Sequence, residues 1–460
     1  MRKILILALI VFLCMNVQTT YSKEPRYQRV VVPPAENIAV AFYTGGSMDV
    51  PLNNFSTMIK KTEGLGFRVK NVTDLSNMYE LEGVDILILM TQDDYSDDSI
   101  YVITEFVKYG GDLVILPPTN ISDNFRSLLS EFGMETIGNV KDNVSYYNNE
   151  SQVLLNGNWN TKLIIFEDID SLLVVNATAL NYTGDIGILK EWSIDQSISI
   201  NNETNISTVF VDRILWGNNS TMAEYQKGKY LFGENVSLCY VQEYWFGSRI
   251  IVFSSSLMFA DEYIVAEEYD NMMLFENIMK WLGDQINYIG IDNMIVQPDI
   301  ETFDINIYDS LTVYFNVIAT NIENESGFDD AIILSGFESL GRFINVEPAN
   351  LTNVSFDATQ KIINCSYETK LYFGNLLNNT KGRAIYIKIL VIKQYYGFTW
   401  SKGIEVYIIK PPYEPHAFHP ILLTTMLIIG INLIAILILL PHFLGARRKA
   451  QQIEKEIKKT

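Results

Sequence analysis

The chain has 460 residues, of which 48% are hydrophobic and 12% aromatic, so it can bury several cores and is not a disordered protein. The formal net charge of −20 opposes binding to nucleic acid and to anionic lipid head groups. A chain of this length is expected to form two or three domains.

The first 22 residues have the pattern of a cleaved secretory signal peptide. Arg2 and Lys3 precede an apolar run from Ile4 to Cys14, which is too short to span a bilayer, and polar residues begin at Gln18. Residues 1–22 are therefore predicted to direct the chain into the secretory pathway and to be removed there.

Residues 35–285 are predicted to form an α/β unit. Short, nearly continuous apolar runs alternate with segments whose apolar residues recur at helical spacing. This alternation predicts a doubly wound parallel sheet that is covered on both faces. The predicted strands are Asn37–Tyr43, Phe67–Val72, Asp85–Met90 and Asp112–Leu116.

Residues 136–235 of this unit lack a clean period. They are interpreted either as long insertions or as a poorly specified second lobe. After them, Cys239–Phe246 and Arg249–Phe253 predict a hairpin, and Val265–Leu282 predicts a helix.

From residue 286 to residue 410 the apolar residues alternate with their neighbours, which is the period of a half-buried strand. Clear examples are residues 311–317 and 385–391, and turn-forming Asn, Gly and Asp separate such runs. A β-sandwich-like, membrane-proximal domain is therefore predicted.

Residues 421–440 contain no charge and are long enough to cross a hydrocarbon core of about 30 Å as one helix. Basic residues from Arg447 onward place the tail, residues 441–460, in the cytosol. The bulk of a single-pass type I protein would then be luminal. Gly430 and Asn432 are candidate helix-packing residues, because an amide in lipid favours a hydrogen-bonding neighbour.

Asn-x-Ser/Thr triplets occur seventeen times between the predicted signal and span, against about five expected from composition. They predict a heavily N-glycosylated lumenal part, and the alternative is a compositional bias with few sites occupied. The possible acceptors are Asn54, Asn71, Asn120, Asn143, Asn149, Asn176, Asn181, Asn202, Asn205, Asn218, Asn219, Asn235, Asn324, Asn350, Asn353, Asn364 and Asn378.

Two cysteines, Cys239 and Cys365, remain when the signal is removed. The sequence is compatible with a disulfide between them and equally with two buried free thiols.

The histidine content argues against catalysis. The three histidines, His416, His419 and His442, all flank the predicted span, so the luminal body before the neck at residues 411–420 has none for nucleophilic catalysis or metal binding. Thr44 to Ser47 follow the first strand but lack the lysine and the spacing of a phosphate-binding loop. No catalytic, metal-binding or cofactor-binding residue is assigned, and no cofactor is expected.

An acidic cluster follows the third predicted strand. Asp93, Asp94, Asp97 and Asp98 would lie over the carboxyl ends of the parallel strands, where ligands usually bind. Paired carboxylates there could hold a divalent cation or perform acid–base chemistry. The alternative is that Asp97 and Asp98 begin the next helix and oppose its positive end.

Three segments together resemble one family: FVKYGGDLVIL (Phe106–Leu116), SRIIVFSSSLMFADEY (Ser248–Tyr263) and the proline-aromatic neck at residues 411–420. With the type I layout and the domain order, they resemble the 48 kDa-type subunit of the eukaryotic oligosaccharyltransferase complex. The resemblance implies an amidotransferase-like α/β domain without the catalytic Cys-His pair.

The same resemblance implies a non-catalytic role in the endoplasmic reticulum membrane. Such a subunit supports assembly of a complex whose multispanning subunit transfers the dolichol-linked oligosaccharide to Asn-x-Ser/Thr of nascent proteins. Two other functions fit the sequence. One is a type I cell-surface glycoprotein acting as a receptor or in adhesion, and the other is a luminal hydrolase that uses the Asp93–Asp98 carboxylates.

Overall fold

The computed structural model describes residues 34–46, 52–90, 95–119, 121–191, 197–200, 204–266, 268–298, 310–339, 342–373 and 385–406. The predicted signal peptide, the predicted span at 421–440 and the tail lie outside these ranges. Within them, no helix combines the length and hydrophobicity that crossing a membrane requires.

The elements within these ranges are numbered in chain order. The helices are α1 (Ser56–Gly64), α2 (Asp97–Lys108), α3 (Asp123–Glu131), α4 (Gly187–Glu191), α5 (Asp261–Ile264) and α6 (Asn271–Leu282). The first strands are β1 (Ala39–Tyr43), β2 (Arg68–Val72), β3 (Ile86–Leu89), β4 (Asp112–Ile115), β5 (Met134–Asp142), β6 (Gln152–Leu155), β7 (Leu172–Val175), β8 (Thr178–Tyr182), β9 (Ser197–Ile200), β10 (Thr204–Ser207), β11 (Val209–Trp216), β12 (Thr221–Gln226), β13 (Lys229–Phe232), β14 (Ser237–Tyr244) and β15 (Arg249–Phe253). The remaining strands are β16 (Ile289–Gln297), β17 (Ser310–Ala319), β18 (Ile332–Ser339), β19 (Arg342–Pro348), β20 (Asn350–Asp357), β21 (Ile362–Tyr372), β22 (Ile385–Lys393), β23 (Gly397–Trp400) and β24 (Ile404–Val406).

Five neighbouring strands of the largest sheet are parallel, in the order β15-β4-β3-β1-β2. Val40 shares a core cluster with Met58 of α1 and Phe275 of α6. Leu87 belongs to a second cluster with Phe106 of α2. Because successive strand residues face opposite sides of a sheet, apolar runs without alternation are buried on both sides, as β1, β3, β4 and β15 are.

Residues 136–235 extend this sheet with antiparallel strands. The order continues β13-β12-β5-β8-β14-β15, and β11 also pairs with β14. The hairpin of β14 and β15 joins the two halves, with Cys239 opposite Phe253 and Glu243 opposite Arg249. Part of the long region therefore lies in the same sheet as the parallel strands, while β6 with β7 and β9 with β10 form separate two-stranded sheets.

Helix α6 begins at Asn271, six residues later than the helical pattern from Val265 predicts. The buried Asn271 amide donates to the carbonyls of Leu173 and Met258 and accepts the N–H of Leu173. These three hydrogen bonds fix the start of the helix to the edge of β7, and α5 forms a separate turn before it.

Residues 289–406 contain two antiparallel sheets, ordered β16-β17-β21-β20 and β19-β18-β22-β23 with β24 beside β22. In β17, Leu311 and Val313 are buried and their neighbours are partly exposed, as the alternation predicts. The rings of Phe337 and Phe373 meet at 5.3 Å between the two sheets.

Strand β22 is buried on both faces, which its alternation does not predict. Leu390 and Ile392 belong to the same core cluster as Trp245 and Phe246 of the α/β half. Trp400 lies 5.7 Å from Trp245, ring to ring, and its Nε1 donates to the Trp245 carbonyl. The second sheet therefore packs on the α/β half, and the described residues form one compact unit.

Candidate functional site

The carboxyl edge of the parallel strands, where ligands were expected, is packed with aromatic rings. Tyr95 is 1% exposed and lies 5.9 Å from Tyr43 and 5.8 Å from Phe125, measured between ring centroids. A Cβ added to Gly45 would lie 2.2 Å from the Thr73 carbonyl oxygen. These contacts indicate a tight strand–helix connection at this edge.

The structure describes two of the four residues of the acidic cluster. Asp97 and Asp98 are exposed in the first turn of α2, where their charges oppose the positive end of the helix. The N-cap is Ser96, whose Oγ accepts the Ser99 N–H at 3.2 Å. Asp93 and Asp94, in contrast, lie outside the described residues. Among the residues that are described, no His, Cys, Asp and Glu group has the arrangement of a metal site.

A buried ionic cluster lies instead at the opposite edge, where the parallel strands begin. Arg249 opens β15, and its Nη2 lies 3.0 Å from Asp112 Oδ2 and 2.8 Å from Asp284 Oδ1. The guanidinium also donates to the carbonyls of Trp281 and Leu282, each at 2.7 Å, and lies 4.9 Å from the Trp281 ring centroid. The C-terminal carbonyls of α6 and two carboxylates thus hold one cation.

Glu243 adds a buried carboxyl group next to this cluster. It is 2% exposed, its Oε2 accepts the Tyr395 N–H at 3.3 Å, and its Oε1 has no hydrogen-bond partner in the described structure. The pKa of Glu243 is raised to about 7, chiefly by burial and to a smaller extent by nearby Asp212, while Arg249 and the Tyr395 N–H oppose the rise.

Tyr395 connects the cluster to the β-rich half. It lies in the turn between β22 and β23, and its hydroxyl donates to Asp212 Oδ2 at 3.0 Å. Asn160 Nδ2 donates to the same carboxylate oxygen at 2.6 Å, and the Tyr395 carbonyl accepts from Trp281 Nε1 at 2.9 Å. Tyr395 therefore forms hydrogen bonds with Glu243, Asp212 and Trp281 of the α/β half, through both its backbone and its hydroxyl.

The cavity beside the ionic cluster is too small for a substrate of ordinary size. It has a volume of about 60 Å³ and is lined by Asp112, Arg249 and Asp284 together with residues of the β22–β23 region. This space fits a few water molecules, whereas ligand pockets span roughly 300–1,000 Å³. The ionic cluster and the contacts of Tyr395 therefore join the α/β half to the β-rich half.

The sequon asparagines are all at the surface where their side chains are described. Asn181 and Asn218 are half-buried and the others are exposed. Asn271 and Asn287, which are buried, belong to no sequon. Asn120, Asn202 and Asn378 lie outside the described residues, and only the backbone of Asn205 is described. The exposed acceptors are Asn54, Asn71, Asn143, Asn149, Asn176, Asn219, Asn235, Asn324, Asn350, Asn353 and Asn364.

The two cysteines lie in different sheets. Cys239 is in β14 of the large sheet and Cys365 is in β21 of the β-rich half, and both are buried free thiols. The candidate packing residues Gly430 and Asn432 lie outside the described residues.

Sequence reasoning missed Arg249 and Glu243. The available signal was a charged residue inside a run that otherwise has the composition of a buried strand, RIIVF for Arg249 and LCYVQEYWF for Glu243. A buried charge needs a partner, so such residues predict an ion pair even before the partner is known.

Comparisons with known proteins give no family. No family model and no curated protein matches the chain. Among solved structures, the mmIFT52 N-terminal domain matches at a TM-score of 0.39 and 14% identity, over 53% of this chain and 96% of that one. A ThuA-like protein from Bacteroides uniformis matches at a TM-score of 0.32 and 13% identity, over 58% of this chain and 94% of that one. Likenesses at this level identify neither an activity nor a partner.

Proposed function

We propose that the chain is a non-catalytic subunit of the eukaryotic oligosaccharyltransferase complex. It would be a single-pass type I protein of the endoplasmic reticulum membrane, with other subunits, including the multispanning catalytic one, as partners. Its role would be to assemble and stabilise the complex that N-glycosylates nascent proteins. The observation that supports the proposal is that the first two of the three family-like segments form internal contacts of the fold.

The first two family-like segments, Phe106–Leu116 and Ser248–Tyr263, lie side by side. They contain β4 and β15, which pair in parallel from Ile250 opposite Leu113 onward. The Ser248 hydroxyl donates to the Val107 carbonyl at 2.7 Å. The two segments that resemble the family therefore pack on each other in the centre of the sheet.

Two further polar side chains of the second segment, Ser255 and Asp261, make hydrogen bonds within the fold. Asp261 accepts the Ser56 hydroxyl and the Thr57 N–H, both at 2.8 Å, and so satisfies the start of α1 from a distant part of the chain. The Ser255 hydroxyl donates to the Val175 carbonyl. Such hydrogen bonds specify a fold, and this use of the motif favours a structural subunit over an enzyme.

Co-purification tests this proposal. The tagged full-length chain is expressed in its native cell type, extracted in a mild detergent and analysed by mass spectrometry. We expect stoichiometric recovery of a multispanning transferase and, after depletion of the chain, under-glycosylated secreted proteins. Recovery of the chain as a free monomer from endoplasmic reticulum membranes would contradict the proposal.

A pair of variants addresses the predicted span. Asn432→Leu is expected to reduce recovery of the complex if its amide contacts a neighbouring helix, and Thr425→Leu is the matched polar-to-apolar control. Unchanged recovery with Asn432→Leu removes this residue from the interface and leaves the subunit proposal intact. Labelling of intact cells with a membrane-impermeant reagent distinguishes the subunit proposal from the cell-surface alternative. A protein of the endoplasmic reticulum stays unlabelled, whereas a cell-surface protein is labelled.

The hydrolase alternative predicts that Asp94→Asn or Asp97→Asn abolishes an activity without unfolding the chain. The subunit proposal predicts that both variants still support glycosylation in depleted cells. The exposed position of Asp97 at the start of α2 favours the second outcome.

A further inference from the structure

A groove of about 610 Å³ opens on the antiparallel half of the large sheet. It lies where Ser237 of β14 pairs both with Trp216 of β11 and with Leu180 of β8. Strands β5, β12 and β13 form the remaining walls. Its volume is within the range of small-molecule sites and ten times that of the cavity at the ionic cluster.

The groove combines aromatic rings with planar polar groups. Tyr225, 40% exposed, and half-buried Tyr240 both line it. The amides of Gln226 and Asn235 line it as well, and neither has a hydrogen-bond partner in the described part of the chain. Aromatic faces together with free donor–acceptor amides suit a ligand that has apolar C–H faces and hydroxyl edges.

The groove has two charged side chains, Glu135 and Arg213. Each is held by a hydrogen bond within the fold, and their opposite charges cancel. Glu135 accepts the Asn181 amide at 2.6 Å. Arg213 donates to the Glu234 carbonyl, and its guanidinium lies 5.3 Å from the Trp216 ring centroid. With one carboxylate and one guanidinium among its lining residues, the groove favours an uncharged ligand.

A peptide would find little to pair with in this groove. The walls formed by β5 and β12 come from strands that are paired on both sides, since β5 bonds to β8 and β12, and β12 bonds to β5 and β13; β13 ends the sheet and contributes Leu231 to the lining. Peptides that bind sheets usually add a strand at a free edge, where backbone hydrogen bonds provide affinity. Recognition here would depend on side chains, which is how hydroxyl-rich ligands are bound.

We propose that this groove binds a neutral oligosaccharide, with Tyr225 and Tyr240 contacting sugar faces and with Gln226, Glu135 and Arg213 binding hydroxyl groups. This binding proposal is independent of the proposed function, because a chain outside the transferase complex would have the same groove. Asn181 and Asn235 are sequon residues at the rim of the groove, so a glycan of the chain itself would compete for it.

The test uses the full-length chain in a detergent without a sugar head group, after its N-glycans have been trimmed to single N-acetylglucosamine residues. Saturation-transfer NMR and titration are performed with chitotriose, mannotriose and an uncharged tripeptide. We expect at least one trisaccharide to bind and the tripeptide not to bind.

Tyr225→Ala and Gln226→Ala are each expected to weaken trisaccharide binding roughly two- to tenfold, because each removes one contact from an exposed position. Tyr225→Phe keeps the ring and should bind within about twofold of wild type. Tyr101→Ala is the matched control, since Tyr101 is an exposed tyrosine on α2. The proposal is overturned if neither trisaccharide binds, if the tripeptide binds instead, or if both groove variants bind the trisaccharide as wild type does.

Discussion

The guanidinium of Arg249 and the carboxylate of Asp112 form an ion pair at 3.0 Å with side chains only 6% and 3% exposed. The backbone N–H of Arg249 also donates to Asp112 Oδ1 at 2.8 Å. The pair therefore connects the first residues of β4 and β15, the strands that the two family-like segments contribute. It also fixes the end of α6, because the guanidinium reaches the carbonyls of Trp281 and Leu282.

Removal of the cation should destabilise the protein strongly. Arg249→Met removes the cation from the buried carboxylate of Asp112 and from half-buried Asp284, and loss of one partner of a buried ion pair typically costs about 3–5 kcal/mol. Urea unfolding of the detergent-purified chain, followed by tryptophan fluorescence, measures the free energy of unfolding.

The control for this variant is Arg126→Ala. Arg126 pairs with Asp123 at 3.9 Å on the surface, with a side chain that is 54% exposed, so its loss should have little effect. If both substitutions lowered the free energy of unfolding equally, burial would not explain how much the Arg249 ion pairs stabilise the protein.

Glu243 should make stability depend on pH. Its pKa is raised from 4.5 to about 7 in the folded protein, chiefly by burial. The folded state therefore binds a proton more tightly than the unfolded state, and the contribution of this group to stability decreases as the pH rises from about 4.5 to about 7. Above that window the buried charge opposes folding by about 3 kcal/mol.

Glu243→Gln removes this titration. Relative to wild type, the variant should gain stability steadily between pH 5 and pH 7, and the gain should level off above pH 7. Unfolding midpoints measured across this range test whether the stability gain of Glu243→Gln increases with pH. Glu63→Gln, at an exposed position, is the control. A difference that grows as the pH falls would mean that Arg249 holds Glu243 ionised.

Gly111 should not tolerate a side chain. A Cβ at this position would lie 2.3–2.5 Å from three ring carbons of Phe106, which is 1% exposed and cannot move aside. Gly111→Ala is expected to cost roughly 1–3 kcal/mol of stability. Gly64→Ala is the matched control, because nothing lies within 4 Å of its added Cβ and alanine favours the helix by up to about 1 kcal/mol. Thermal unfolding of both variants should shift in opposite directions.

The parallel strands were predictable because their pattern has one physical cause. Apolar runs such as AVAFY and ILIL can be satisfied only in a sheet covered on both faces, and they form β1 and β3. The alternation in β17 is likewise a direct consequence of having one face in a core. Such local patterns do not depend on distant parts of the chain.

The ionic cluster and the burial of β22 were not predictable for the opposite reason. Arg249 finds its partner Asp112 at a separation of 137 residues, and Tyr395 meets Asp212 across 183 residues. Composition identifies a buried charge as unusual, but only the topology places the partner next to it. Similarly, Leu390 is buried because residues of the α/β half, such as Trp245 and Phe246, cover the outer face of its strand.

The thiols of Cys239 and Cys365 should be unreactive in the native protein. Burial raises the pKa of both thiols, so each has little of the thiolate that reacts with alkylating reagents. Cys239 is 0% exposed and Cys365 is 2% exposed, which also excludes the reagent itself. Iodoacetamide should therefore label neither in native buffer.

In denaturant without a reductant, iodoacetamide should label both cysteines, and intact-mass measurement counts the adducts. Cys239→Ser and Cys365→Ser should each lose one adduct and retain the other. A disulfide would give a different result, because no adduct would form until a reductant was added, and each single variant would then gain one reactive thiol.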